Sequence, residues 1–231
     1  MEQRHNVEKQ RVGEKVVELI ENNMVVGIGT GSTVYYAIRK LAQNVEQGLS
    51  IKAVSTSSST SSLLKKFGID EVDINDVNHI DICIDGADEV DSQLRAVKGG
   101  GGALLLEKIV AVHSKKLVLI ADSTKYVSRL GKFPLPVEIV KFGYKRTVGR
   151  LSEQGFNPKI RGRAGDLFIT DSGNYIVDLH LNQIEHPAEL SVLLNNTPGV
   201  VDNGLFIDIA QTLYLADRED VRIVHRSAGM V

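Results

Sequence analysis

Apolar positions in residues 7–22, "VEKQRVGEKVVELIEN", recur at helical spacing and give way to the β-branched run "MVVGIG". The same exchange repeats along the first half of the chain. Ser32 and Thr33 open a helical pattern, "STVYYAIRKLAQ"; "IKAVST" reads as a strand, and "TSSLLKKFG" as a helix closed by Gly68. "VDI" (72–74) and "IDICID" (80–85) are expected strands, residues 102–113 a helix, and "KLVLIAD" a strand again. Continuously apolar strands alternating with helices predict a mainly parallel sheet covered on both faces, a doubly wound α/β fold. Such a sheet takes its ligand at the carboxyl ends of its strands.

After "KFPLPVEIV" the rhythm changes. "YKRTVGRLSEQG" predicts a helix and "KIRG" a short strand. "LFITDSGNYIVDLHL" alternates in twos around "DSGN" and predicts a hairpin. "PAELSVLLNN", with proline in its first turn, predicts another helix. These elements predict a second, smaller α+β domain of ferredoxin-like kind over 131–207. The tail, from "DIAQTLYLADREDVRIVHR", returns to the first domain, which then comprises 1–130 and 208–231.

Charge narrows the function. With 27 basic and 29 acidic residues among 231, the net charge is −2, which gives no basic field for nucleic acid. No apolar run approaches the length of a membrane span, and the N-terminus "MEQRHNVEKQ" is polar. One cysteine, Cys83, forbids a disulfide within the chain, suits a reducing compartment and reads as a small buried hydrophobe in its strand. A cytoplasmic protein is expected.

Three stretches carry candidate chemistry. In "VVGIGTGST" (25–33) a strand runs through glycines into a helix headed by hydroxyls, so free N–H groups face an anion that the backbone can approach closely. It lacks the lysine of a Walker loop and the spacing and acid of a dinucleotide site; a phosphate group fits better than a plain capped turn. "IDGADEVD" (84–91) sets Asp85 and Asp88 at a strand end, although Asp-Gly is also a common turn and Glu89 and Asp91 read equally well as solvated. "VKGGGGALLLEKIVA" (97–111) places Lys98 before four glycines and Glu107 in the first turns of a helix starting near 102. A partly desolvated Glu107 would have a raised pKa suited to a general base, with an ordinary Glu107–Lys98 ion pair as the alternative. Lys125, in "ADSTK", ends another strand. The six histidines show no metal-ligand spacing, so neither a metal nor an organic cofactor is expected.

Together "GIGTGST", "DGADEVD", "KGGGGALLLEKIVA", "ADSTK", "GKFPLPVEIV" and "PGVVDNGLF" resemble, in order and spacing, ribose-5-phosphate isomerase of type A, and the likeness spans nearly the whole chain. The resemblance implies an aldose–ketose isomerase of the non-oxidative pentose phosphate pathway. It would interconvert ribose 5-phosphate and ribulose 5-phosphate without a cofactor, as a homodimer or homotetramer. It makes Glu107 the base between C1 and C2, Lys98 the group that stabilises oxyanion charge, and Asp85 and Asp88 partners of the sugar hydroxyls. Asp85 would assist ring opening. Thr30, Gly31, Ser32, Thr33, Lys125 and Lys9 would hold substrate, chiefly its phosphate, and Gly86, Ala87, Gly99, Gly100 and Gly101 would line the site. Leu106 departs from the family, where a larger or polar residue, often arginine, precedes the glutamate.

Other readings predict other features. An amino-sugar-phosphate deaminase would set a histidine near these acids. A coenzyme A transferase would use its glutamate as nucleophile. A sugar-phosphate sensor would carry a helix-turn-helix, whereas this pattern opens on the α/β domain.

Overall fold

In the computed structural model of the protein, residues 2–163, 165–217 and 220–226 are described; residues 227–231 of the expected first-domain tail lie outside them. The chain opens with α1 (Glu2–Val16), β1 (Val25–Ile28), α2 (Ser32–Glu46), β2 (Lys52–Ser55), α3 (Ser58–Lys66) and β3 (Ile82–Gly86). Short strands β4 (Glu89–Val90) and β5 (Ala96–Val97) precede α4 (Leu104–Val112) and β6 (Leu117–Ala121). The second rhythm is β7 (Leu135–Ile139), α5 (Tyr144–Glu153), β8 (Pro158–Ile160), β9 (Gly162–Arg163), β10 (Asp166–Leu167), β11 (Tyr175–Leu179), α6 (Pro187–Asn195) and β12 (Val200–Asn203). β13 (Leu205–Phe206), β14 (Ala210–Asp217) and β15 (Asp220–His225) complete the described chain.

The main sheet runs β15-β14-β6-β3-β1-β2, parallel except for the antiparallel edge strand β15. Its strands are apolar on both sides because both sides are covered. Ile82, Ile84, Val118, Ile120, Tyr214 and Ala216 face one core with α1, α2 and α3. Their alternate neighbours, Cys83, Leu117, Leu119, Ala121, Leu213 and Leu215, face a second core with α4. The chain passes from β1 to β2 on one side, then returns to β3 on the other. That reversal opens a crevice at the carboxyl ends of β1 and β3.

A second sheet, β12-β7-β11-β8, is wholly antiparallel and has its own core around Leu135, Val137, Leu151, Val177 and Leu194. In chain order its elements are βαββαβ with the fourth strand beside the first, which is the ferredoxin-like arrangement.

Four local expectations need correction. "VDI" forms no strand: Glu71 makes one bridge to Ala53, and the Asp73 carboxylate caps a 3-10 turn at Asn75 N instead. A short polar side chain there outcompetes a three-residue ladder. The helix expected near 102 starts at Leu104, because Gly102 has φ +81°. The 167–181 hairpin forms only at its tip, with a single bridge between Ile169 and Tyr175. Both edges of β11 are taken by β7 and β8, so Leu167 folds back on Gly162 instead. Period-two alternation marks strands but does not choose their partners. Finally, Glu89 and Asp91 are buried, not solvated: Glu89 accepts the N–H groups of Gly131 and Phe133, and Asp91 pairs with Arg95.

Candidate active site

The crevice between β1 and β3 holds a cavity of about 140 Å³. Every candidate named from the sequence lines it except Asp85, and Val34 joins them. Its lining includes Thr30 and Gly31, then Ser32 and Thr33 in the first turn of α2, with Lys9 and Lys125. The start of a 15-residue helix offers unpaired N–H groups and a partial positive charge, so it suits a dianionic phosphate. The same lining includes Asp88, Lys98 and Glu107, with the backbone of Gly99, Gly100 and Gly101.

Lys98 is fixed by its backbone. β5 pairs with β13, Lys98 N donates to Gly204 O at 2.8 Å, and the Phe206 ring centroid lies 5.3 Å from the ammonium. Asp85, Lys98 and Glu107 are 0%, 2% and 3% exposed. Lys98 Nζ donates to Gly86 O at 2.7 Å and stands 2.9 Å from Asp85 Oδ2 and 3.2 Å from Glu107 Oε2. The two carboxylate contacts are close charge pairs between buried groups.

One ammonium faces two acids out of water. Burial first, then repulsion from Asp85, raises Glu107 from the ordinary 4.5 to about 8, against the pull of Lys98. Burial also raises Asp85, opposed by Lys98 and by the N–H groups of Gly86 and Thr30. Burial alone would lower Lys98, but Asp85 and Glu107 outweigh it and hold it charged far above neutrality. The trio can therefore keep a fixed cation beside a carboxyl poised to exchange a proton near neutral pH.

Asp85 lies beneath the cavity floor. Its Oδ1 accepts Gly86 N at 2.7 Å and Thr30 N at 3.3 Å, tying the turn after β1 to the end of β3. Asp88 Oδ2 accepts Gly100 N at 2.7 Å and so holds the glycine segment. Behind Thr30 a hydroxyl cluster gathers Thr56, Ser57 and Thr60: Thr30 Oγ1 is 2.7 Å from Ser57 Oγ, and Thr60 Oγ1 donates to Gly29 O at 2.8 Å. Sequence reading passed over these residues. The run "STSSSTSS" was the available signal, since hydroxyls at the end of β2 face the same crevice. Gly29 was also missed. A Cβ there would lie 2.0 Å from Asp85 Oδ1, so only glycine admits the carboxylate.

A larger groove of about 380 Å³ lies against α4, lined by Val54, Leu106, Ile109 and Val110 among others. It carries Glu71 and Asp73 but no cation, so the smaller, charged cavity is the site with convergent chemistry. Leu106 faces that groove and does not line the cavity, so its departure from the family leaves the charged trio untouched. Elsewhere His5, Glu8 and Asp122 bring ligand-type atoms within 4.8 Å of one another, but Glu8 accepts Ser123 Oγ and Asp122 caps the turn at Thr124 N.

The profile of ribose 5-phosphate isomerase A (phosphoriboisomerase A) matches residues 52–220. The chain belongs to this family. Ribose-5-phosphate isomerase A of Bifidobacterium adolescentis is 45% identical over 218 residues, spanning 94% of each chain. The crystal structure of ribose 5 phosphate isomerase A from Neisseria gonorrhoeae superposes with a TM-score of 0.90 at 42% identity, covering 97% of this chain and 98% of that one. A D-ribose-5-phosphate isomerase in complex with phospho-erythronic acid gives 0.91 at 35% identity, over 95% and 98% of the two chains.

Two outcomes are expected. Gly29→Ala should push Asp85 from its place, costing about 1–3 kcal/mol in urea unfolding together with most activity. Glu107 holds a proton in the folded state, between pH 4.5 and about 8, that the unfolded chain releases, so rising pH through that window favours unfolding. Glu107→Gln removes this effect, and its Tm relative to the unaltered protein should rise from pH 5 to pH 9. A pH-independent difference would contradict the raised pKa.

Proposed function

We propose that the protein interconverts D-ribose 5-phosphate and D-ribulose 5-phosphate by proton transfer through a 1,2-enediolate, with Glu107 as the base. The observation that carries this reading is the Lys98 ammonium held between Asp85 and Glu107 at a cavity that is also lined by Lys9, Lys125 and the start of α2. Family membership supports the same substrate pair.

The chemistry needs three things, and the cavity supplies each. Lys9, Lys125 and the start of α2 anchor the phosphate, and that binding energy orients the reacting carbons. Asp88, on the cavity wall, takes the O1 hydroxyl proton of the furanose and returns it to the ring oxygen as the bond from C1 to that oxygen breaks and the aldehyde forms. Glu107 then takes the C2 proton as carboxylate and returns it to C1 as acid, while the O2 hydroxyl proton passes to O1. Negative charge develops on the oxygens, and Lys98 meets it with a cation already in place and already dry. Asp85 has no wall position. Its role is to hold Lys98 charged and to keep the Glu107 pKa high. This differs from the ring-opening part that the resemblance implied for it.

Phospho-erythronic acid, bound in the related isomerase, supports this assignment by its chemistry. It sets a planar carboxylate at the opposite end of a short polyol from a phosphate, as the enediolate does. For this chain a sugar-phosphate substrate and no nucleic-acid or membrane partner is the corresponding reading; no helix among the described residues is long and apolar enough to cross a membrane. A homodimer or homotetramer in the cytoplasm completes it.

Purified protein with ribose 5-phosphate and a chelator should form the ketose, and in heavy water deuterium should enter the product at the carbon that receives the proton. No ketose would overturn the isomerase reading, and ketose without any label would overturn the enediolate. Glu107→Gln should fold and bind substrate yet lose about 10²–10⁴-fold in kcat. Lys98→Ala should lower kcat more than it raises KM; a change in KM alone would mean that Lys98 binds substrate and transition state equally. For the unaltered protein kcat/KM should climb by about tenfold per pH unit and level off near pH 8, where Glu107 is ionised. A plateau already reached at pH 6 would remove Glu107 from the role.

A further inference from the structure

The segment Gly99–Gly102 has no side chains with which to fix itself, yet the backbone of Gly99, Gly100 and Gly101 lines the cavity. Four glycines carry the largest conformational entropy a chain can have, so their arrangement is imposed from outside. One restraint comes from the main sheet's side: Asp88 Oδ2 accepts Gly100 N. The other comes from the second sheet. Arg161, just beyond β8, sends Nη1 to Gly99 O at 3.0 Å and Gly100 O at 3.2 Å. Its Nε donates to Asp178 Oδ2 at 2.9 Å, and its Nη2 meets Asp178 Oδ1, so the planar fork is locked from behind.

We propose that Arg161 is a positioning residue for the isomerisation: braced by Asp178, it grips two carbonyls of the glycine segment and thereby aims the N–H groups of Gly100 and Gly101 at Asp88 and the sugar. This rests on the isomerase reading above. The geometry follows from the peptide unit. The peptide bonds of the described residues are trans, so a carbonyl and the N–H of the same unit point in opposite directions. Holding Gly99 O therefore directs Gly100 N–H, which is the group that reaches Asp88. Holding Gly100 O turns Gly101 N–H to the side of the segment away from the guanidinium, and Gly101 borders the cavity.

Neighbours in the same fold-back of the chain reinforce the brace. The Phe168 ring lies where a Gly102 side chain would be, 2.4 Å from a Cβ built there, and also beneath the guanidinium. Asp171, at the tip of the turn, accepts the N–H and hydroxyl of Ser58, at the start of α3. Ser58 adjoins Ser57, which contacts Thr30. Gly102 N also closes a turn on Gly99 O at 2.9 Å, and among the described residues Arg161 is the side chain that reaches these glycine carbonyls.

Arg161→Ala and Arg161→Lys should each lower kcat by about 10- to 100-fold, as expected when reacting groups lose their alignment. The inhibition constant of inorganic phosphate should stay within about twofold, because Arg161 bonds Gly99, Gly100 and Asp178 and none of Lys9, Lys125 or the start of α2. Guanidinium ion at millimolar concentration should restore part of the lost kcat of Arg161→Ala, and none of that lost in Lys98→Ala. Asp178→Asn touches no part of the glycine segment and serves if the arginine variants do not fold; its kcat should fall by about fivefold or more. Unchanged kcat in the folded variants, or a loss of phosphate binding in step with kcat, would overturn the proposal. If the unaltered protein itself made no ketose, the isomerase reading would fail, which is a separate result from an active protein indifferent to Arg161.

Discussion

A single buried ammonium facing two buried carboxylates sets the terms for the rest of this molecule. Lys98 can neutralise Asp85 or Glu107 but not both, and burial of all three groups weakens the screening of the remainder. The surplus charge is met by a proton that belongs to the cluster, whose two carboxyls are both pushed upward by burial. Such an arrangement is costly for folding, and it persists because the surrounding chain leaves those three groups no alternative. β5 and β13 clasp the lysine backbone, Phe206 walls its ammonium, and the absence of a side chain at Gly29 makes space for Asp85. Stability is sacrificed locally so that a carboxylate of high basicity exists near neutral pH.

The sheet topology decides where that cluster can meet a phosphate. Strand order reverses between β1 and β3, so the turn after β1 and the end of β3 diverge around one crevice. The turn brings the start of α2, and the end of β3 brings Asp85 and Gly86. Asp85 then fastens the two together through the N–H groups of Thr30 and Gly86. One carboxylate therefore serves the electrostatics and the architecture at once, and neither side of the crevice is independent of the other.

Much of this was legible in the chain. The alternation of β-branched runs with helical periodicity gave the doubly wound sheet, because strands buried on both faces must be apolar throughout. Motifs at strand ends gave the cavity residues, because a parallel sheet gathers those ends on one edge. The passages that misled have a common physical source. "VDI" and the arm at 167–169 have strand composition, but a capping carboxylate claims the first and β11 has no free edge for the second. Glu89 and Asp91 looked solvated because turn acids usually are; here backbone N–H groups and Arg95 take them inside. Arg161 was invisible for a different reason: its task is defined by carbonyls 62 and 61 positions away, and nothing in "KIRG" announces it. The composition of the serine stretch was plain, but its meaning depended on Thr30 standing opposite.

Cys83 sits in the middle of β3, fully enclosed, two residues before Asp85. Burial pushes its thiol far toward the protonated form, with the Asp85 charge adding to the effect. Peroxides and electrophiles react with thiolates that they can reach, and this sulfur is neither ionised nor reachable. The remaining chemistry of the cavity runs on oxygen and nitrogen groups that such reagents leave alone. Thiol-directed oxidants and alkylating reagents would accordingly leave the folded protein's cavity unmodified at this sulfur.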